Sequence, residues 1–118
     1  MNGAKILSIA AERPAKTMAN DELPGKFDID DAWIQSRTGI ATRGVANDEE
    51  TLVEMSAGAA SKAIAAAGID PATIDLTIVA TSSNPITTPG IAPPLTNRLS
   101  LTSGAFDIMA ACAGFCYS

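Results

Sequence analysis

The stretch that decides the fold is FDIMAACAGFCYS, residues 106–118. It begins as an apolar run and passes through small residues around Cys112, with the look of a strand that turns into a helix at the cysteine. Unpaired N–H groups at a helix start favour a thiolate, the nucleophilic form of cysteine. Ala110, Ala111, Ala113 and Gly114 leave room for a carbonyl to approach, and the N–H of the cysteine itself is placed to help hold an oxyanion. The other reading is packing, because a free cysteine flanked by Ala and Gly is most often a core residue. From these residues alone both readings stay open. Cys116, one helical turn on, reads as core packing, and a disulfide between the two is geometrically awkward.

Working back towards the N-terminus, the segments before it alternate strand and helix. GAFDIMAA (104–111) and LTIVATSS (76–83) are apolar enough for the centre of a sheet covered by helices on both faces. Between them IAPPLTNRLS (91–100) is a helix whose Pro93 and Pro94 fit only the first turn. Thr51–Ala67 is the clearest helix, with Leu52, Met55, Ala59, Ala63 and Ala67 on one face and Gly68 as its stop. IATRGVA (40–46) alternates like an edge strand, and DIDDAWIQSRTG carries a short helix from Asp30 or Asp31 to Gly39. Asn20 is a candidate cap before a break at Pro24–Gly25. KILSIAAE (5–12) reads as the first strand. The order is β-α-β-α-β-α-β-α, an α/β chain with no linker and no internal repeat.

Composition narrows the function. The 118 residues are 47% hydrophobic and 18% charged, with only 4% aromatic residues, so a globular core must be packed by Ala and branched aliphatics. The formal charge is -5 and the eight basic residues are scattered from Lys5 to Arg98. That argues against nucleic acid and anionic membrane as partners. The first fourteen residues are too polar for a signal peptide or membrane span, and two cysteines make no secreted disulfide framework, so a cytoplasmic location is expected. There is no histidine. A Cys–His pair therefore cannot be completed within these residues, and with no histidine ligands a metal site is not expected.

Four stretches, NDEL (20–23), DDAWIQSRTGI (30–40), IVATSS (78–83) and FDIMAACAGFCY (106–117), together resemble the N-terminal part of β-ketoacyl-acyl carrier protein synthase III, of the thiolase superfamily. The resemblance implies a thiolase-like α/β fold in which residues 1–118 are a single partial domain, most of the N-terminal half of a duplicated βαβαβαβ unit, interrupted just after the nucleophile. It implies that Cys112 takes an acyl group from acyl-CoA and joins it to malonyl-acyl carrier protein with decarboxylation. A His and an Asn from the C-terminal half assist, so the isolated chain is expected to be inactive. Trp33 and Arg37 match positions that contact coenzyme A, by stacking on adenine and near the phosphates. Thr38, beside them, is a further candidate for contact with coenzyme A. Without the resemblance, Trp33 is a half-buried packing residue and Arg37 a helix-dipole partner.

Three positions depart from the family pattern. Ala41 stands where many relatives have an Arg, which leaves Arg43 as a possible substitute for phosphate contact. Ile29 replaces a small polar residue. Thr88 falls where some relatives place a Phe that reaches across the dimer and closes the acyl pocket, so a longer or branched primer is expected to fit. No cofactor is expected, acyl-CoA being a substrate; the expected partners are malonyl-acyl carrier protein, a second copy in a homodimer and the remainder of the same enzyme. Alternatives are a thiolase-fold acyltransferase acting on a non-malonyl acceptor, and a non-catalytic binding fragment.

Overall fold

The computed structural model describes residues 3–23, 29–86 and 88–118. The break expected at Pro24–Gly25 lies outside them. The chain falls into two compact units, one of Met1–Glu12 with Leu52–Ser118 and the other of Arg13–Thr51.

In the larger unit, helix α2 (Leu52–Ala67) leads to the parallel pair β3 (Leu76–Ala80) and β4 (Gly104–Ile108) through the crossover helix α3 (Ala92–Arg98). A parallel pair needs such a crossover, because a tight turn can only reverse the chain. The pairing runs from Leu76 opposite Gly104 to Ala80 opposite Ile108. Helix α2 stops at Gly68, whose φ of 64° is the left-handed conformation that glycine adopts without steric cost. Its N–H returns to the carbonyls of Ile64 and Ala65.

The core is small. Ala57 of α2, Val79 of β3 and Ile91, Ala92 and Leu95 at α3 form one buried cluster, with Leu52, Val53, Leu99 and Ala105 against it. The α2 stripe expected from the sequence is only half-buried, and Ala57 is the one buried residue of this helix. Alternation along β3 and β4 puts Val79 and Ala105 on the covered face. Leu76 and Phe106, on the opposite face, are about half exposed. The expectation of helices on both faces is thus met on one face by the described elements.

The start of α3 accounts for all its backbone donors. A helix leaves its first N–H groups without intrahelical partners. Here Pro93 and Pro94 carry none, and the amides of Ile91 and Ala92 donate to Asp107 Oδ1 at 2.9 Å and Oδ2 at 3.1 Å. Leu95 N–H begins the helical pattern by donating to the Ile91 carbonyl at 3.0 Å. One strand carboxylate therefore caps the helix that crosses over it.

The segment 5–12, expected as the first strand, forms no strand among the described residues. No described segment forms a ladder with it; side chains attach it instead, Ser8 Oγ donating to the Ala63 carbonyl at 2.7 Å and Glu12 pairing with Lys62 at 2.8 Å. An apolar run supplies strand propensity, but a strand exists only where its backbone finds a partner.

The first strand of the chain is β1 (Lys16–Ala19) in the smaller unit, antiparallel to β2 (Thr42–Val45). Helix α1 (Asp31–Thr38) lies between them in sequence, opened by Asp30 and closed by Gly39 at φ 69°. The β-α alternation holds, with its first member displaced by about a dozen residues.

Leu95, 4% exposed at the centre of the larger unit's core, gives a direct check on this packing. Leu95→Ala is expected to cost about 2–5 kcal/mol, read as a lowered denaturation midpoint. A loss below about 0.5 kcal/mol, the range of an exposed surface position, would show that α3 is not packed as described.

Candidate active site

Cys112 sits in a 3-10 turn, Ala111–Ala113, between the end of β4 and the four-residue helix α4 (Gly114–Tyr117). It is a free thiol and exposed, so it is not part of the described core. Ala111, directly before it, has φ 43°, a left-handed conformation that costs an L-residue about 1–2 kcal/mol. The turn is tight because the chain must leave the strand and coil at once: Ala113 N–H donates to the Ala110 carbonyl at 2.9 Å, and Gly114 N–H to that of Ala111. Gly114 is buried, and a Cβ there would lie 3.0 Å from that of Ala80 at the end of β3. Close approach at Gly114 therefore seats the cysteine turn on the sheet. The expected helix start is present, but α4 is a single turn. Local N–H groups, rather than a long helix dipole, are what it offers a thiolate or an oxyanion.

Cys116, expected in the core, is exposed. Only Gly114 of α4 is buried, so this helix turns its other side chains outward among the described residues.

Trp33, Arg37 and Thr38 all lie on α1, in the smaller unit. Asp30 Oδ1 accepts from the Trp33 N–H at 2.7 Å and caps the helix. Trp33 is 49% exposed, and the Arg37 guanidinium stands 5.6 Å from its ring centroid, within cation–π range. Spacing of four residues on a helix brings the pair together. An exposed indole beside a guanidinium suits a planar base with phosphates nearby. Thr38 Oγ1 donates to the Ile34 carbonyl at 2.8 Å and accepts from Ile40 N–H at 3.1 Å. Its hydroxyl is used to close the helix.

The position of α1 depends on a residue that the sequence presents as a cap and as the start of the NDEL stretch. Asn20, 6% exposed, is the first residue of the 3-10 turn Asn20–Glu22. Its Nδ2 donates to Asp31 Oδ1 at 2.6 Å and to the Ile40 carbonyl at 2.7 Å, while its Oδ1 accepts from the Arg43 guanidinium. Burying an amide requires this kind of satisfaction. Arg43 also reaches the Ala19 carbonyl at 3.4 Å, so its guanidinium is engaged at β1 and in the knot around Asn20. Sequence reasoning also passed over Asp107; the available signal was a single charge inside an apolar strand.

Thr88 is exposed on the segment between β3 and α3, and Cys112 follows β4. Both belong to the larger unit. Among the described residues no helix is long and apolar enough to cross a membrane, and no three His, Cys, Asp or Glu residues are placed to hold a metal ion.

No family model matches the chain. Over its whole length it is 42% identical to β-ketoacyl-[acyl-carrier-protein] synthase III 2 of Streptomyces avermitilis, covering 38% of that protein. It superposes with a TM-score of 0.89 on the priming β-ketosynthase of the R1128 polyketide biosynthetic pathway, at 38% identity, covering 96% of this chain and 34% of that one. The 3-oxoacyl-[acyl-carrier-protein] synthase III of Aquifex aeolicus gives the same TM-score at 36% identity, with 98% and 37% covered. The chain spans little more than a third of the length of these relatives and corresponds to an N-terminal portion of them. The thiolase-like α/β fold expected from the sequence is the fold these structures share with it.

Asp31 offers a test of the knot that holds α1. Hydrogen bonds from Gln35 and, secondly, Asn20 hold its carboxyl below the ordinary value of 3.8. A carboxylate lowered on folding contributes stability that is present above its ordinary value and lost as pH falls through the lowered one. The Asp31 carboxyl, followed by NMR, is expected to titrate below 3.8, and Gln35→Ala or Asn20→Ala should move it back upward. A midpoint at or above 3.8 would contradict the bonds described.

Proposed function

We propose that this chain, with the sequence and fold of an N-terminal portion of a β-ketoacyl-acyl carrier protein synthase III, supplies the nucleophile and the coenzyme A platform of a condensing enzyme. The observation that carries the proposal is Cys112, an exposed thiol on a strained turn at the end of a parallel strand, in a chain so similar to synthases of this kind.

In the proposed reaction the Cys112 thiolate attacks the carbonyl of an acyl-CoA thioester. The carbon–sulfur bond to coenzyme A breaks, coenzyme A leaves as its thiolate and takes a proton from water, and a new thioester forms on Cys112. Malonyl-acyl carrier protein then loses carbon dioxide, and its carbanion attacks the Cys112 thioester. The carbon–carbon bond forms, the cysteine thiolate is released, and a β-ketoacyl-carrier product results. Trp33 stacks on the adenine and Arg37 lies near the phosphates, with Thr38 ending the helix that presents them. Thr88, smaller than the Phe of some relatives, leaves space at the acyl pocket of the partner protomer for a longer or branched primer. The His and Asn that assist decarboxylation belong to the C-terminal part of such enzymes. A homodimer and a cytoplasmic location are part of the same reading, and no cofactor takes part.

Intact-protein mass spectrometry on the whole polypeptide carrying these residues, before and after incubation with a panel of acyl-CoAs, is the deciding experiment. One acyl group is expected to be gained by the wild type and by Cys116→Ser, and none by Cys112→Ser. Equal loss from both substitutions would remove Cys112 as sole nucleophile; no gain by the wild type would favour a binding role instead. Residues 1–118 alone are expected to show no turnover of malonyl-acyl carrier protein, because they contain no histidine. Measured turnover by that fragment would overturn the division of labour proposed here.

A further inference from the structure

The connection from β3 to α3 is held at both ends by two consecutive residues of β4. Where β3 ends, Thr81 N–H donates to the Ile108 carbonyl at 3.2 Å. At the far end, Ile91 and Ala92 donate to the two carboxylate oxygens of Asp107. Thr81, Asn84, Gly90, Asp107 and Met109 surround a hollow of about 260 Å³ between these anchors. Among the described residues the connection's other side-chain bonds are local: Thr81 Oγ1 accepts from Ser83 N–H, and Asn84 bonds the backbone of Ile86. Among the described residues, these attachments fix where the connection leaves β3 and where it enters α3.

Gly90 makes the second attachment close. A Cβ on this residue would stand 1.8 Å from Asp107 Oδ2, so only glycine admits the carboxylate to the two amides that follow. Asp107 also lies on the strand that runs directly into the Cys112 turn.

We infer that Asp107 is a positioning residue for primer selection: through the Ile91 and Ala92 amides it fixes the segment that carries Thr88, and with it the wall that the acyl primer meets. The inference rests on the acyl-transfer reading above. A carboxylate accepts from both amides at once; an Asn offers one acceptor and turns an N–H group towards the other amide. The Thr88 segment then shifts while the cysteine remains.

The test measures Cys112 acylation rates in the whole polypeptide with acetyl-CoA and with branched and medium-chain acyl-CoAs. Asp107→Asn is expected to change the ratio of these rates by about tenfold, the discrimination that a methylene-sized change in a pocket wall produces. Asp107→Ser, which keeps a shorter acceptor, gives the same readout if the Asn variant does not fold. Arg98→Ala removes the exposed pair with Glu54 at the other end of α3 and is expected to leave the ratio as in the wild type. A uniform slowing of every primer, or an unchanged ratio in the Asp107 variants, would overturn the inference while leaving acyl transfer intact. Absence of any acylation in the wild type would instead overturn the acyl-transfer reading itself.

Discussion

The larger unit depends on where the Asp107 carboxylate puts its two oxygens. Two amides at the start of α3 have no partner within the helix, and Asp107, half-buried on β4, accepts from both. A hydrogen bond to a charged acceptor is worth more than a neutral one, and an unmade one in a partly buried place costs the desolvation of the donor. Pro93 and Pro94 leave no further donors to satisfy at that end, and Gly90 leaves room for the acid to approach. Helix, strand and the connection between them thus share one anchor. It lies five residues before the cysteine on which the proposed chemistry depends.

The smaller unit is organised on the same principle with a neutral side chain. Asn20 is enclosed by Asp31, Ile40 and Arg43, and its amide makes bonds to all three. These tie the start of α1, the chain just beyond its end, and β2 to one point. The exposed Trp33–Arg37 pair can therefore be solvent-facing and still held in place, because the backbone beneath it is fixed by buried polar contacts. Arg43 is committed to this knot, which leaves Arg37 as the basic side chain of α1 itself.

Few large residues are buried among the described ones, and the polar ties acquire their importance from that. With 4% aromatic residues, the larger unit is centred on Ala, Val, Ile and Leu, and several of its bulky apolar side chains are exposed. Apolar burial is non-directional and brings helices and strands together without specifying fine register. Directional bonds at Asp107 and Asn20, and the close contact of Gly114 with Ala80, supply the registration. At the cysteine turn this registration coincides with the left-handed backbone of Ala111, a local cost that the surrounding contacts sustain.

Helix boundaries were legible in the sequence because their signals are local: Asp30 and Gly39 around α1, Gly68 after α2, and the paired prolines of α3 each act within about a turn. The order of strands and helices, and Cys112 at a strand-to-helix turn, were legible for the same reason. The tertiary structure alone decided which apolar runs became strands. Residues 5–12 have the composition of one, yet Lys16–Ala19 found the antiparallel partner. It also decided that Cys116 is exposed and that Ala57 is the buried residue of α2. Asp107 and Asn20 acquired their roles in the same way, each from partners as far as 16 and 23 residues away in the chain. Local signals are encoded beside the residues they govern. A carboxylate or an amide inside a fold acquires its meaning only from the groups that folding brings within bonding distance.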